Sequence, residues 1–114
     1  MTTSSSSGKG RRGEDLAARF LVCAGYRVVA RNVRVPGGEI DLVCVDGSTL
    51  VFVEVKRRDG RSFGSALSAV DGPKRRKLRM IALDYAQIVA PGAPIRFDIV
   101  TIDGNRIAVH RNAF

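Results

Sequence analysis

Apolar residues recur along this chain at two spacings. Between Arg11 and Ala24 they recur at helical spacing, with Leu16, Ala17, Phe20, Leu21 and Ala24 in one stripe. Gly25 supplies the C-terminal stop of that predicted helix. At about 100° per residue, Glu14 falls beside Leu21 at the edge of the stripe, and Asp15 falls nearly opposite. Glu14 is therefore expected to border the core and Asp15 to face solvent. From Tyr26 to Val35 the pattern changes to alternation of Val with basic residues, which reads as a strand. Pro36-Gly37-Gly38 breaks it. Glu39 to Val45 and Leu50 to Lys56 read as two more strands around an Asp46-Gly47 hairpin signal.

The second half repeats the logic. Residues 57–65 read as a basic, Gly-containing loop, with a short helical turn expected at Ala66 to Val70. Pro73 opens a second helix at a position that proline favours. Leu78, Ile81, Ala82, Tyr85 and Ile88 give that helix an apolar face. Ala90 to Pro94 interrupt it. Ile95 to Ile102 and Arg106 to Arg111 read as two strands around Asp103-Gly104-Asn105. The order is helix, three strands, helix, two strands. It predicts an α/β domain with a mixed β-sheet flanked by helices. Residues 1–9, mostly Ser, Thr and Gly, read as a disordered tail, and 10–114 as one domain.

Composition narrows the function classes. A chain of 114 residues suits one domain, and 45% hydrophobic content is globular. Charges interrupt every apolar stretch before the ~18 residues of a membrane span, and the N-terminus lacks an apolar signal core. The reading is cytoplasmic, with no membrane partner. Cys23 and Cys44 both sit within apolar patterns and are expected to be buried free thiols. They and His110, the one histidine, are too few for a structural zinc site without a carboxylate. His110 is expected to be structural or solvent-facing. Nineteen Lys and Arg against eleven Asp and Glu give a net charge of +8, which points to a polyanion, chiefly nucleic acid.

Against that charge, three glutamates stand out: Glu14, Glu39 and Glu54. Glu39 and Glu54 fall within or at the margin of strands, and Asp41 joins them between Ile40 and Leu42. Charges inside apolar strands are costly unless paired or metal-bound. Period-two alternation puts Glu54 and Lys56 on one face with Leu50 and Phe52, and Glu39 and Asp41 on one face with Val43 and Val45. A hairpin loop of two or four residues makes the two faces coincide. Four loop residues place Asp41 directly opposite Glu54, and two place it diagonally. Carboxylate oxygens suit Mg²⁺ or Mn²⁺, and a nearby lysine can orient water or neutralise phosphate charge. The competing reading is a buried ion pair of Lys56 with Glu54 or Asp41.

The segments GEDLAARFLVCAGYRVVARNVRVPGGEIDLVCVDGSTLVFVEVKRR, FGSALSAVDGPKRRKLRMIA, RFDIVTIDG and the closing NAF occur in order over about residues 10 to 114. In them the chain resembles the YraN-type endonuclease family, which is similar to archaeal Holliday-junction resolvases and belongs with the PD-(D/E)XK nucleases. The resemblance implies a restriction-endonuclease-like αβββαβ core and a divalent-metal site. It implies Glu14 as an accessory metal ligand, Asp41 and Glu54 as metal ligands, and Lys56 as the catalytic lysine. Ile40 stands where the superfamily names a proline, a variation common in the resolvase-like branch. No superfamily role maps onto Glu39, which is expected to support Lys56 or the turn. Paired cuts in a junction need two active sites, so the resemblance also favours a homodimer.

Basic residues fall in clusters around these elements. Lys9, Arg11 and Arg12 precede the first helix. Lys56, Arg57, Arg58 and Arg61 follow the third strand, and Lys74, Arg75, Arg76, Lys77 and Arg79 open the second helix. Their convergence would make a groove that tracks phosphates. Arg11, Arg12, Arg57, Arg58, Lys74, Arg75 and Arg76 are the expected nucleic-acid contacts. Phe63, in the loop, is the one aromatic that could wedge into bent or branched DNA. The leading expectation is an endonuclease that uses Mg²⁺ or Mn²⁺ on DNA, at branched or structured sites. The alternative is a non-catalytic nucleic-acid-binding module on the same scaffold.

Overall fold

A computed structural model of the chain describes residues 8–58 and 72–114. The elements run α1 (Gly8–Cys23), β1 (Arg27–Val35), β2 (Gly38–Asp46), β3 (Thr49–Arg58), α2 (Gly72–Val89), β4 (Ile95–Asp103) and β5 (Arg106–His110). This is the expected order, and its first six elements are the αβββαβ core implied by the resemblance. α1 begins earlier than expected, because Gly8 and Lys9 already belong to it. Residues 1–7 of the expected tail and the turn at Ala66 to Val70 lie outside the described residues.

The five strands form one mixed sheet in sequential order β1-β2-β3-β4-β5. β1, β2 and β3 pair antiparallel, β3 and β4 pair parallel, and β4 and β5 pair antiparallel. A parallel neighbour needs a long crossover, and α2 lies within it. Asp46 pairs with Thr49, leaving Gly47 and Ser48 as the two turn residues, with Gly47 at φ 65°. The signal Asp46-Gly47 thus marks the hairpin one residue early. Val45 faces Leu50, the register reckoned for four loop residues.

Each face of the sheet carries one helix. Ala17 and Leu21 of α1 pack with Leu42, Cys44, Val51, Val53, Val100 and Ile102. Ile81, Ala82 and Ala86 of α2 pack with Ile40, Val43, Leu50, Phe52 and Phe97. Each fully buried aliphatic side chain stabilises the fold by about 1.5–3 kcal/mol relative to exposure. Phe52 stacks on Phe97 at 5.7 Å and meets Tyr85 edge-on at 6.1 Å.

The helices sit on the sheet slightly differently from the apolar stripes. α1 presents Gly13, Glu14, Ala17 and Leu21 inward, whereas Leu16 and Ala24 are exposed. Small residues at Gly13 and Ala17 let the helix approach closely, and this rotation carries Glu14 inward to 7% exposure. Asp15 remains partly exposed and pairs with Arg31. In α2, Ile88 is 82% exposed and Ala86 takes the inward position of the last turns. Of the two cysteines Cys44 is buried as expected, but Cys23 is exposed at the end of α1, and both are free. His110 is half-buried with Nε2 3.0 Å from Thr101 Oγ1, a structural contact. Among the described residues no helix is long and apolar enough to cross a membrane.

Candidate functional site

β2 and β3 part company at Asp41. Their pairing runs from Asp46–Thr49 to Leu42–Val53 and stops, although both strands continue. There Asp41 Oδ2 accepts the Val55 backbone N–H at 2.8 Å. A side-chain carboxylate thus takes over the hydrogen bond that a strand carbonyl would make, and the sheet forks. On β3 Glu54 is 9% exposed, and its Oε2 lies 3.1 Å from Lys56 Nζ. Glu54 and Lys56 share a face with Phe52, as their spacing predicts. Extending the Leu42–Val53 register by one residue sets Asp41 opposite Glu54.

The electrostatics of this fork are unusual. Burial pushes the Asp41 carboxyl up to about 8, and the negative charge of Glu54 adds to the shift. The Val55 N–H pulls it the other way, while a hydrogen bond with Glu54 and the charge of Glu14 raise it further. Lys56 is engaged with Glu54 and does not relieve Asp41. The nearness of Glu54 disfavours the charged form of Asp41. Among the described residues, no three His, Cys, Asp or Glu side chains are arranged around one metal position. Asp41, Glu54 and Lys56 are therefore brought together, and Glu14 lies within electrostatic reach of Asp41 from α1.

Glu39 is placed differently from expectation. Ile40 and Val43 lie in the α2 cluster and Leu42 in the α1 cluster, so the two-residue alternation is reset at Asp41. The reset is matched on β1. Asn32 sits between the pairs Arg31–Leu42 and Val33–Ile40, opposite Asp41, with φ at 53°. Asparagine is among the few residues that adopt this left-handed conformation readily. The kink puts Glu39 near Glu14 instead of beside Asp41 on the face of Val43. Burial raises the Glu14 pKa; a hydrogen bond from Asn32 and the charge of Arg31 lower it, and Glu39 and Asp15 raise it. Glu39 Oε2 lies 3.8 Å from Arg34 Nε.

The expected phosphate contacts are only partly described. Arg12, Arg57 and Arg76 are exposed and Arg75 is half-buried. Gly13 places Arg57 beside the start of α1, since a Cβ there would lie 3.6 Å from Arg57 Cδ. The side chains of Arg11, Arg58 and Lys74, and all of Arg61 and Phe63, lie outside the described residues.

One charged cluster escaped the sequence reading. Asp98 is fully buried in β4 and accepts from Tyr26 Oη at 2.6 Å, from Arg96 Nε and Nη2 at 3.0 Å, and from the Asn112 N–H at 2.9 Å. Arg96 Nη2 also lies 2.9 Å from Asp46 Oδ2. The cluster ties the α1–β1 connection, the β2–β3 hairpin and the C-terminal segment to β4. Its signal was present, since Asp98 breaks an apolar strand as Asp41 does.

Comparison with known proteins assigns the chain. The model described as Uncharacterised protein family UPF0102 matches residues 13–102. The chain belongs to this family. A UPF0102 protein of Symbiobacterium thermophilum is 47% identical over 111 residues, covering 92% of this chain and 94% of that one. One from Shewanella loihica is 42% identical over the full length of both. The solved repair endonuclease from Pyrococcus abyssi is 17% identical, with a TM-score of 0.46 over 92% of this chain and 42% of that chain.

Proposed function

We propose that this UPF0102 protein is a metal-dependent endonuclease that hydrolyses DNA phosphodiesters, with branched or otherwise structured DNA as its substrate. The observation that carries this reading is the forked Asp41–Glu54 pair with Lys56 beside it. A half-buried and a buried carboxylate that crowd each other, with a lysine ammonium 3.1 Å from one of them, suit cation and phosphate chemistry better than scaffolding.

The donor set fits Mg²⁺ or Mn²⁺. Such ions take oxygen ligands, commonly one or two carboxylates plus water and substrate phosphate. Asp41 and Glu54 would hold the ion, with Glu14 behind Asp41 as an accessory carboxylate. When bound, the ion supplies a more acidic water and stabilises charge on the phosphate. The Val55 N–H fixes the orientation of the Asp41 carboxylate. Lys56 Nζ, held by Glu54, offers N–H donors to an attacking water or to a phosphate oxygen. Arg12, Arg57 and Arg76 are exposed to bind flanking phosphates, and a homodimer would present two such sites to one junction.

The test is cleavage of labelled duplex, single-stranded, flapped and four-way-junction DNA with Mg²⁺ or Mn²⁺, using identically purified Lys56→Ala as the control. The reading expects wild-type cleavage that needs the ion, is strongest on junctions or flaps, and falls at least about 100-fold in the variant. Equal cleavage by both proteins, or none on any substrate, would overturn it.

A further inference from the structure

The closing Asn112-Ala113-Phe114 takes no part in the chemistry described above, yet it is fastened to β4 at several points. Asn112 turns the chain at φ 57°, and its N–H is held by Asp98. The Ala113 N–H donates to the Phe97 carbonyl at 2.8 Å. Arg79 of α2 holds the last residue, with Nη1 donating to the Phe114 main-chain oxygen at 3.0 Å. The same guanidinium lies 4.7 Å from the centre of the Phe97 ring. These contacts seat the Phe114 ring against Phe97, with centroids 5.2 Å apart. Phe97 in turn stacks on Phe52, two residues before Glu54 on the same face of β3.

Phe114 and Glu54 line one cavity. Its volume is about 10 Å³, and Phe52, Phe97, Leu78 and Ala82 form much of the rest of its wall. Every lining residue except Glu54 is apolar. Glu54 therefore meets Lys56 Nζ at 3.1 Å in one direction and, across the cavity, side chains that offer it no hydrogen bond. We propose that Phe114 is a positioning residue for Glu54: seated by Phe97 and Arg79, its ring fills the space into which the carboxylate would otherwise swing and water would follow. The proposal rests on the function proposed above for its effect on cleavage, and not for its effect on the glutamate.

The physical argument is one of space. A cavity this size holds about one water, and an apolar wall gives that water few partners. Truncating Phe114 adds the volume of its ring to the cavity, because the surrounding core relaxes only partly. Beside a carboxylate, a space of that size and polarity takes up water. Glu54 then gains rotamers and loses its fixed approach to Lys56 and Asp41. A reacting group displaced by an ångström or less costs rate heavily, without any loss in substrate binding. Phe114 also buries apolar area as any core aromatic does, so a fall in stability alone does not separate positioning from packing.

The Glu54 side chain can be read directly. Three-bond couplings across its Cα–Cβ bond, measured by NMR on the full chain in chelator, distinguish one rotamer from an average of several. The proteins compared are wild type, Phe114→Ala, Phe114→Leu and Leu50→Ala, the last a truncation in the same core cluster that does not touch the cavity. Urea unfolding gives the stability of each; Phe114→Val stands in if Phe114→Ala does not fold, and Val45→Ala if Leu50→Ala does not. The expected result is one Glu54 rotamer in wild type, Phe114→Leu and Leu50→Ala, and averaging in Phe114→Ala. With Mg²⁺ and saturating junction DNA, the single-turnover rate of Phe114→Ala falls at least about tenfold at unchanged DNA affinity, and Phe114→Leu restores it. Averaging in the wild type, one rotamer in Phe114→Ala, or equal averaging in Leu50→Ala overturns the proposal. Cleavage at the wild-type rate by a Phe114→Ala protein with an averaged Glu54 overturns it as well. Couplings as expected, with no cleavage by any of the proteins, uphold the positioning of Glu54 and overturn the function proposed above.

Discussion

Asp41 is the residue on which the account turns, and its cost to the fold can be measured. Its carboxyl sits at about 8 in the folded chain and near 3.8 when solvated. Between those values the folded state binds more protons than the unfolded one. Stability from this group is therefore fully present below about 4 and lost as pH rises through about 8. In chelator, the urea midpoint of the wild type is expected to fall as pH rises across that window. Asp41→Asn should remove much of the fall and be the more stable protein at the alkaline end. Glu14, also raised, contributes a remainder in the same direction. A wild-type profile unchanged by Asp41→Asn would show that the two carboxylates do not crowd each other.

At the scale of elements, the sequence was informative where period and turn chemistry agree. The alternation around Glu54 and Lys56 puts both on the face of Phe52, and the hairpin register sets Asp41 opposite Glu54. Glu39 was illegible for a physical reason. The reset at Asp41 depends on a matching left-handed Asn32 on another strand, and no local pattern announces a paired kink. Ile88 was misplaced because helical spacing ignores how far the sheet extends beneath a helix. The two cysteines share an apolar context, yet Cys23 ends α1 exposed while Cys44 packs under that helix. That difference is testable with a thiol reagent. Cys23 should react in the native protein. Cys44, buried and pushed up to about 12, should react only after denaturation. Two fast thiols per native chain would contradict the packing of α1 on the sheet.

For the whole molecule, the Asp98 cluster and the basic surface do separate work. Asp98 joins the hairpin, the α1–β1 connection and the C-terminal segment, lies on the opposite face of the sheet from Glu54, and serves the fold. Asp98→Ala leaves the Tyr26 hydroxyl proton and the Asn112 N–H without their acceptor and Arg96 with Asp46 and the Tyr26 oxygen. A loss of about 3–5 kcal/mol in urea unfolding is expected. A loss under about 1 kcal/mol would mean that the cluster is not a staple. The net charge of +8 predicts DNA affinity that falls steeply with salt, and Arg57→Ala should make that dependence shallower. DNA affinity flat with salt would remove the basic surface from the account.

The most direct test of the central claim pairs binding with cleavage in Asp41→Asn. Removing the negative charge leaves the basic surface intact and takes away one of the two carboxylates at the fork. The account predicts that Asp41→Asn binds junction DNA as tightly as the wild type or tighter, while its single-turnover cleavage with Mg²⁺ falls at least about 100-fold. Cleavage at the wild-type rate by the bound variant would contradict it.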